Sequence, residues 1–237
     1  MPTVKYRTVH PNLHPRRTKL EVPGWAGQSE PRADGSHEYP WHCIPFSEAA
    51  RAGIELPYPY DHELRVTTQD GTLRFEGDFP EDQRPPFRTF GKEYYTYQSL
   101  IDLKIEDGWA FKTETHPRFY SDTTGTAPIA VPAIIQPWWP MIFFLVFKSP
   151  AEGQTHIFRP GEPFIQITIV PSETKFDLIP MTEEEAAERE LQSQRIYASR
   201  ATLSADTKWL SSTNTIFDGT YRRIFGAARH LKKSSPD

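Results

Sequence analysis

The chain has 237 residues, of which 23 are proline and 13 glycine, with a net charge of −4 and 13% aromatic residues. Proline breaks helix interiors, so this density excludes a long helical bundle, and the aromatic content excludes simple low-complexity disorder. The charge balance supplies no global basic field, so nucleic acid is not an expected partner.

Residues 1–36 read as an extended Pro-rich arm. They hold five prolines, scattered charge and no apolar period, and His10-Pro11 and His14-Pro15 precede Arg16 and Arg17. A residue before proline is pushed toward extended geometry. The opening carries no apolar signal-peptide core. The longest apolar run, Met141 to Phe147, is too short to span a bilayer as a helix. Cys43 is the single cysteine, which excludes an intrachain disulfide and fits a reducing compartment. The expected location is cytoplasmic.

Residues 37–181 read as a β-rich domain. Ser47 and Gly53 bracket a short helix as its cap and its stop. Leu64–Thr68 and Thr72–Glu76 alternate around Gln69-Asp70-Gly71, which predicts a hairpin with a three-residue loop. Leu100–Ile105 and Trp109–Thr115 flank Asp107-Gly108 as a second hairpin-like pair. Pro132 makes Ile129–Ile135 an edge or bulged strand. Trp139–Lys148 is apolar on both faces and reads as a buried central strand. Thr155–Arg159, Phe164–Val170 and Lys175–Ile179 complete the set. Many short strands with regular turns predict a mainly β fold, an antiparallel β-sandwich or open barrel.

Residues 182–237 read as a helical C-terminal extension. Thr182 and Glu185 form a capping box, and Glu183, Glu184 and Glu185 suit a helix N-terminus. This helix is expected to run from 183 to about 203. A second helix over 217–231 would be basic and amphipathic, with Arg222, Arg223, Arg229, Lys232 and Lys233 beside Phe217, Tyr221, Ile224 and Leu231. Through this 217–233 segment and the arm, the chain could meet a protein partner or a second copy of itself.

The strong catalytic motifs are absent. There is no phosphate-binding Gly-Lys-Ser/Thr loop, no G-x-G-x-x-G and no G-x-S-x-G elbow. One cysteine cannot supply paired zinc ligands, and no His has a carboxylate two residues on. Cys43, beside His42, reads as a small buried residue rather than a nucleophile. Glu114 and His116 share a strand face, and His156 lies on a later strand. Together they could form a metal cup with a divalent cation as cofactor, in a cupin- or oxygenase-like enzyme.

The densest signal is aromatic. Trp41, Tyr58, Tyr60, Tyr94, Tyr95, Tyr97, Trp109, Phe119, Tyr120, Trp138 and Trp139 fall in the β body. Such rings pack cores, or they line a surface for a small molecule or peptide. The leading expectation is an accessory binding protein with an aromatic-lined surface, its candidate residues being Trp109, Tyr120, Trp138, Trp139 and Glu162. The alternatives are the metal-dependent enzyme and a structural subunit of a larger assembly.

Trp41-His-Cys-Ile-Pro-Phe46, Ala49-Ala50, Gly53-Ile-Glu55, Phe90-Gly91, Gly108-Trp109, Trp139-Pro140 and Phe158-Arg-Pro-Gly-Glu-Pro-Phe164 occur in that order. This series resembles an uncharacterised bacterial domain-of-unknown-function family over residues 40–182. The resemblance implies no established activity.

Overall fold

The computed structural model describes residues 2–20, 44–80, 83–139, 144–201, 209–210, 216–217 and 229. Trp41, His42, Cys43, Pro140 and most of the predicted 217–231 helix lie outside them. The chain divides into two units, Met1–Leu20 with Ala50–Thr174, and Glu21–Ala49 with Lys175–Asp237.

The first unit is mainly β, and every strand pair in its sheets is antiparallel. β1 (Lys5–Thr8) and β2 (Arg16–Arg17) come from the N-terminal segment. β3 (Ile54–Pro57), β4 (Leu64–Gln69), β5 (Thr72–Glu76), β6 (Phe87–Phe90), β7 (Tyr94–Gln98) and β8 (Ile101–Lys104) follow. β9 (Trp109–Thr115), β10 (Ala133–Ile135), β11 (Phe144–Lys148), β12 (Thr155–Phe158) and β13 (Pro163–Pro171) complete the unit. A five-stranded sheet runs β10-β9-β13-β3-β2, and two three-stranded sheets run β11-β7-β6 and β12-β4-β5. β1 pairs with β8.

The arrangement is sandwich-like because alternate side chains of these sheets meet in one core. Leu56, Phe111, Ile165 and Ile167 enter from the five-stranded sheet, and Tyr95, Tyr97, Leu145 and Phe147 from β7 and β11. Leu64, Val66 and Phe158 come from β4 and β12. Phe164 of β13 joins all three, with ring centroids 5.5 Å from Tyr97, 5.6 Å from Phe158 and 6.2 Å from Phe147. Each such ring contributes about 1.5–3 kcal/mol on burial, and the tilted and edge contacts add to it.

Several expectations need correcting. The β4–β5 loop has two residues, not three, because Gln69 pairs directly with Thr72. Asp70 (φ 53°) and Gly71 (φ 66°) both adopt the left-handed conformation that a tight hairpin turn demands. β8 and β9 do not form a hairpin: β8 pairs with β1, and β9 lies between β10 and β13. β11 ends its three-stranded sheet and alternates its burial. Among the described residues, only 129–131 flank its other side, through bonds from the Val131 N–H to the Val146 carbonyl and from the Lys148 N–H to the Ile129 carbonyl. Past Pro132 the same segment becomes β10, at the edge of the other sheet. Residues 175–179 form no strand, and Phe176, Leu178 and Ile179 are exposed.

In the second unit, α1 (Ile44–Ala50) precedes the long helix α2 (Glu183–Ala201). The capping box at the start of α2 is reciprocal. The Glu185 N–H donates to Thr182 Oγ1 at 3.2 Å, and the Thr182 N–H donates to Glu185 Oε2 at 2.8 Å. β14 (Trp209–Leu210) and β15 (Ile216–Phe217) pair with each other. No described helix is long and apolar enough to cross a membrane.

Candidate functional site

The outer face of the five-stranded sheet carries a polar row. Register places Glu114 opposite Gln166, Gln166 opposite Glu55, and Glu55 opposite Arg16. Glu55 is fully buried, with its carboxylate paired to Arg16 Nε and accepting the Lys19 N–H at 3.2 Å. His116, also buried, has Nε2 3.1 Å from Glu55 Oε2. Its Nδ1 accepts the Arg118 N–H at 3.2 Å, capping the 3-10 turn Pro117–Ser121. Both ring nitrogens are therefore committed, with Nε2–H as the donor to Glu55.

A cavity of about 700 Å³ opens in the first unit where the ends of β9, β11 and β12 meet the 119–129 loop. His156 of β12 lines it and is 5% exposed. His156 Nδ1 lies 2.9 Å from the Oη of fully buried Tyr95. Burial pulls the imidazole down to about 4 and pushes the phenol up, so both are neutral near pH 7. The phenolic hydrogen needs an acceptor, and Nδ1 is the one beside it. That choice leaves the hydrogen on Nε2, and the ring meets the cavity as a neutral donor.

Two more residues of the lining stand at the end of β11. Lys148 lines the cavity, and no carboxylate lies within 4.0 Å of its ammonium among the described residues. Ser149 also belongs to the lining, and its hydroxyl is buried without a hydrogen-bond partner among the described residues. The opposing carboxylates are already engaged. Glu114 lies 3.0 Å from Lys112 Nζ and accepts from Thr168 Oγ1 at 3.3 Å. Asp122 accepts from Thr124 Oγ1 at 2.7 Å and from the Ala127 N–H at 3.3 Å. Burial would raise the Asp122 pKa, but the bonds from Thr124, Ala127 and Gly125 outweigh it and hold the carboxyl below its ordinary value. The acids are thus spent on structure, while Lys148 and His156 line the space without a carboxylate partner among the described residues.

The expected sites fare differently. Glu114 and His156 reach this cavity, but His116 turns to Glu55 and does not line it. Among the described residues, no three His, Cys, Asp or Glu side chains gather as metal ligands would. Of the five candidate binding residues, Tyr120 lines the cavity while 60% exposed. Trp109 is half-buried against the core. Trp138 and Trp139 are exposed and pack on each other, with centroids 5.9 Å apart. Glu162 sits in a turn, 3.1 Å from Arg118. Sequence reasoning counted Tyr95 among the aromatic residues without linking it to His156, and it missed Lys148 and Ser149. No motif marks them, and only the pairing of β7 with β11 brings them near β12.

No protein-family model matches the chain, and no curated protein matches it. Among solved structures it is similar to the native dUTPase of EIAV, with 8% identity, a TM-score of 0.38, and 76% of this chain and 98% of that chain covered. It is also similar to the dUTPase of phage phi11 of S. aureus, at 12% identity and a TM-score of 0.40 with the same coverage. A mutant of the Staphylococcus bacteriophage 80alpha dUTPase with dUpNHpp gives 11% identity and a TM-score of 0.41, again with 76% and 98% covered.

The expectation of an accessory binding protein with an aromatic-lined surface, together with its alternatives, is corrected here. Tyr58, Tyr95 and Tyr97 are at most 1% exposed and belong to the core. The metal trio does not converge, because His116 is turned to Glu55.

Proposed function

We propose that the first unit is an enzyme acting on a small anionic molecule, a carboxylate or phosphate ester, held in the cavity at His156. The observation that carries this reading is that Lys148 and neutral His156 line one space, with no carboxylate paired to either among the described residues. Neutral His156 is fixed by Tyr95, and Lys148 stands without a carboxylate among the described residues. Donors fixed in a partly desolvated cleft stabilise negative charge that develops on oxygen. The chemistry they suit is hydrolysis or group transfer at an ester or phosphoryl centre. Lys148 would anchor the anion, and His156 would hold the oxygen on which charge builds.

Thermal-shift and calorimetric titrations with a panel of small carboxylates and phosphate esters test the reading, followed by hydrolysis assays on the binders. The expected result is saturable binding by a panel member, weakened about tenfold or more in Lys148→Ala. Turnover should fall further in His156→Gln than binding does. Binding that ignores both substitutions would overturn it, as would a panel without a single binder.

A further inference from the structure

A second cavity, of about 640 Å³, lies beside the N-terminal strands of the same unit. Its floor is apolar: Val4, Ile54, Leu103 and Ile169 all line it and pack against the core from beneath. Its remaining charged residues are Arg16, Arg17 and Arg51, and no Asp, Glu or His lines it. One positive charge is neutralised, because Arg16 pairs with buried Glu55. Arg17 is different. It is exposed, stands opposite Ile54 in the β2–β3 register, and has no carboxylate within 4.0 Å among the described residues.

We infer that this cavity is a binding site for an anionic amphiphile, a carboxylate or phosphate head carried on a short apolar chain. Guanidinium groups recognise both heads through paired N–H donors. The four aliphatic side chains below would take an alkyl chain out of water, at about 0.8 kcal/mol per buried methylene. Either part of the ligand alone lacks half of the site. A free anion leaves the floor wet, and an uncharged alcohol leaves Arg17 unmatched. The site is separate from the His156 cavity, with which it shares no lining residue.

Isothermal titration of the full chain with octyl phosphate, octanoate, inorganic phosphate and octanol tests this. Octyl phosphate or octanoate should bind saturably, at least tenfold more tightly than inorganic phosphate or octanol. Arg17→Gln and Arg51→Gln should each weaken that binding about tenfold, the ordinary value of a charge-assisted hydrogen bond. Lys148→Ala, in the other cavity, should leave it unchanged. Thermal midpoints within a degree or two of the parent show that the arginine variants are folded. The inference is overturned if octanol matches the amphiphiles, if neither amphiphile binds, or if the loss follows Lys148→Ala instead of the arginine substitutions.

Discussion

Two buried titratable side chains make the first unit sensitive to acid in separate windows. His156 has an ordinary value of 6.5 and is held by burial at about 4 in the fold. Between these values the unfolded chain takes up a proton that the folded chain refuses. Stability is therefore lost as the pH falls from 6.5 toward 4, by about 3 kcal/mol if the full difference is realised. Glu55 acts lower. Burial alone would raise its pKa, but Arg16, the Lys19 N–H and His116 together hold it below 4.5. Its stabilisation is complete above that value and disappears as the pH falls through the folded one. Urea midpoints measured from pH 7 to pH 3 should separate the two. His156→Gln, whose amide can still accept from Tyr95, should flatten the profile between pH 6.5 and 4. Glu55→Gln should be destabilised by about 2 kcal/mol at pH 7, and the deficit should close only below pH 4.5. A Glu55→Gln deficit that persists at pH 3 would show that shape, not charge, is what Glu55 supplies.

At the level of elements, local chemistry and long-range pairing have different legibility. The β4–β5 hairpin, the capping box of α2 and the edge position of β10 could be read directly. Each depends on residues close in sequence: Asp70-Gly71, Thr182 with Glu185, and Pro132. The pairing of β8 with β1 and the edge position of β11 could not be read, because their partners lie far along the chain. The cavity donors were hidden for the same reason. Tyr95 and His156 are 61 residues apart and meet only through the core. The apolar run before Lys148 looked buried on both faces, yet Phe144 remains exposed and Arg88 stacks over its ring at 4.3 Å. Gly53 shows how much one position before β3 is constrained. Its φ is 96°, and a Cβ there would stand 2.2 Å from the Ile167 carbonyl oxygen of β13. Backbone inside a paired strand cannot yield, so Gly53→Ala combines strain with displacement of the sheet. Chemical denaturation should show a loss of about 3 kcal/mol or more. A loss below about 1 kcal/mol, the ordinary cost of an unfavourable φ alone, would mean that the close approach is relieved elsewhere.

For the first unit as a whole, the N-terminal segment decides whether the fold closes. Residues 2–20 hold the Pro-rich, charge-scattered sequence from which an extended arm is expected, yet they are bound to the body at four points. β1 zips to β8 over four residue pairs, and β2 completes the five-stranded sheet. Leu13 is 1% exposed within the core, and Arg16 with the Lys19 N–H satisfies the buried carboxylate of Glu55. Truncating a buried leucine to alanine costs about 2–5 kcal/mol. Stripping a buried charge of its partner costs about 3–5 kcal/mol. Together these approach the roughly 5–15 kcal/mol that holds an ordinary domain folded. A chain beginning at residue 21 should therefore lose its cooperative thermal transition, while Leu13→Ala in the full chain keeps a transition at a lower midpoint. Circular dichroism melts of both proteins against the parent decide the matter. An unchanged midpoint for the shortened chain would show that the sandwich closes without its first two strands, and Glu55 would then have to find its partners elsewhere.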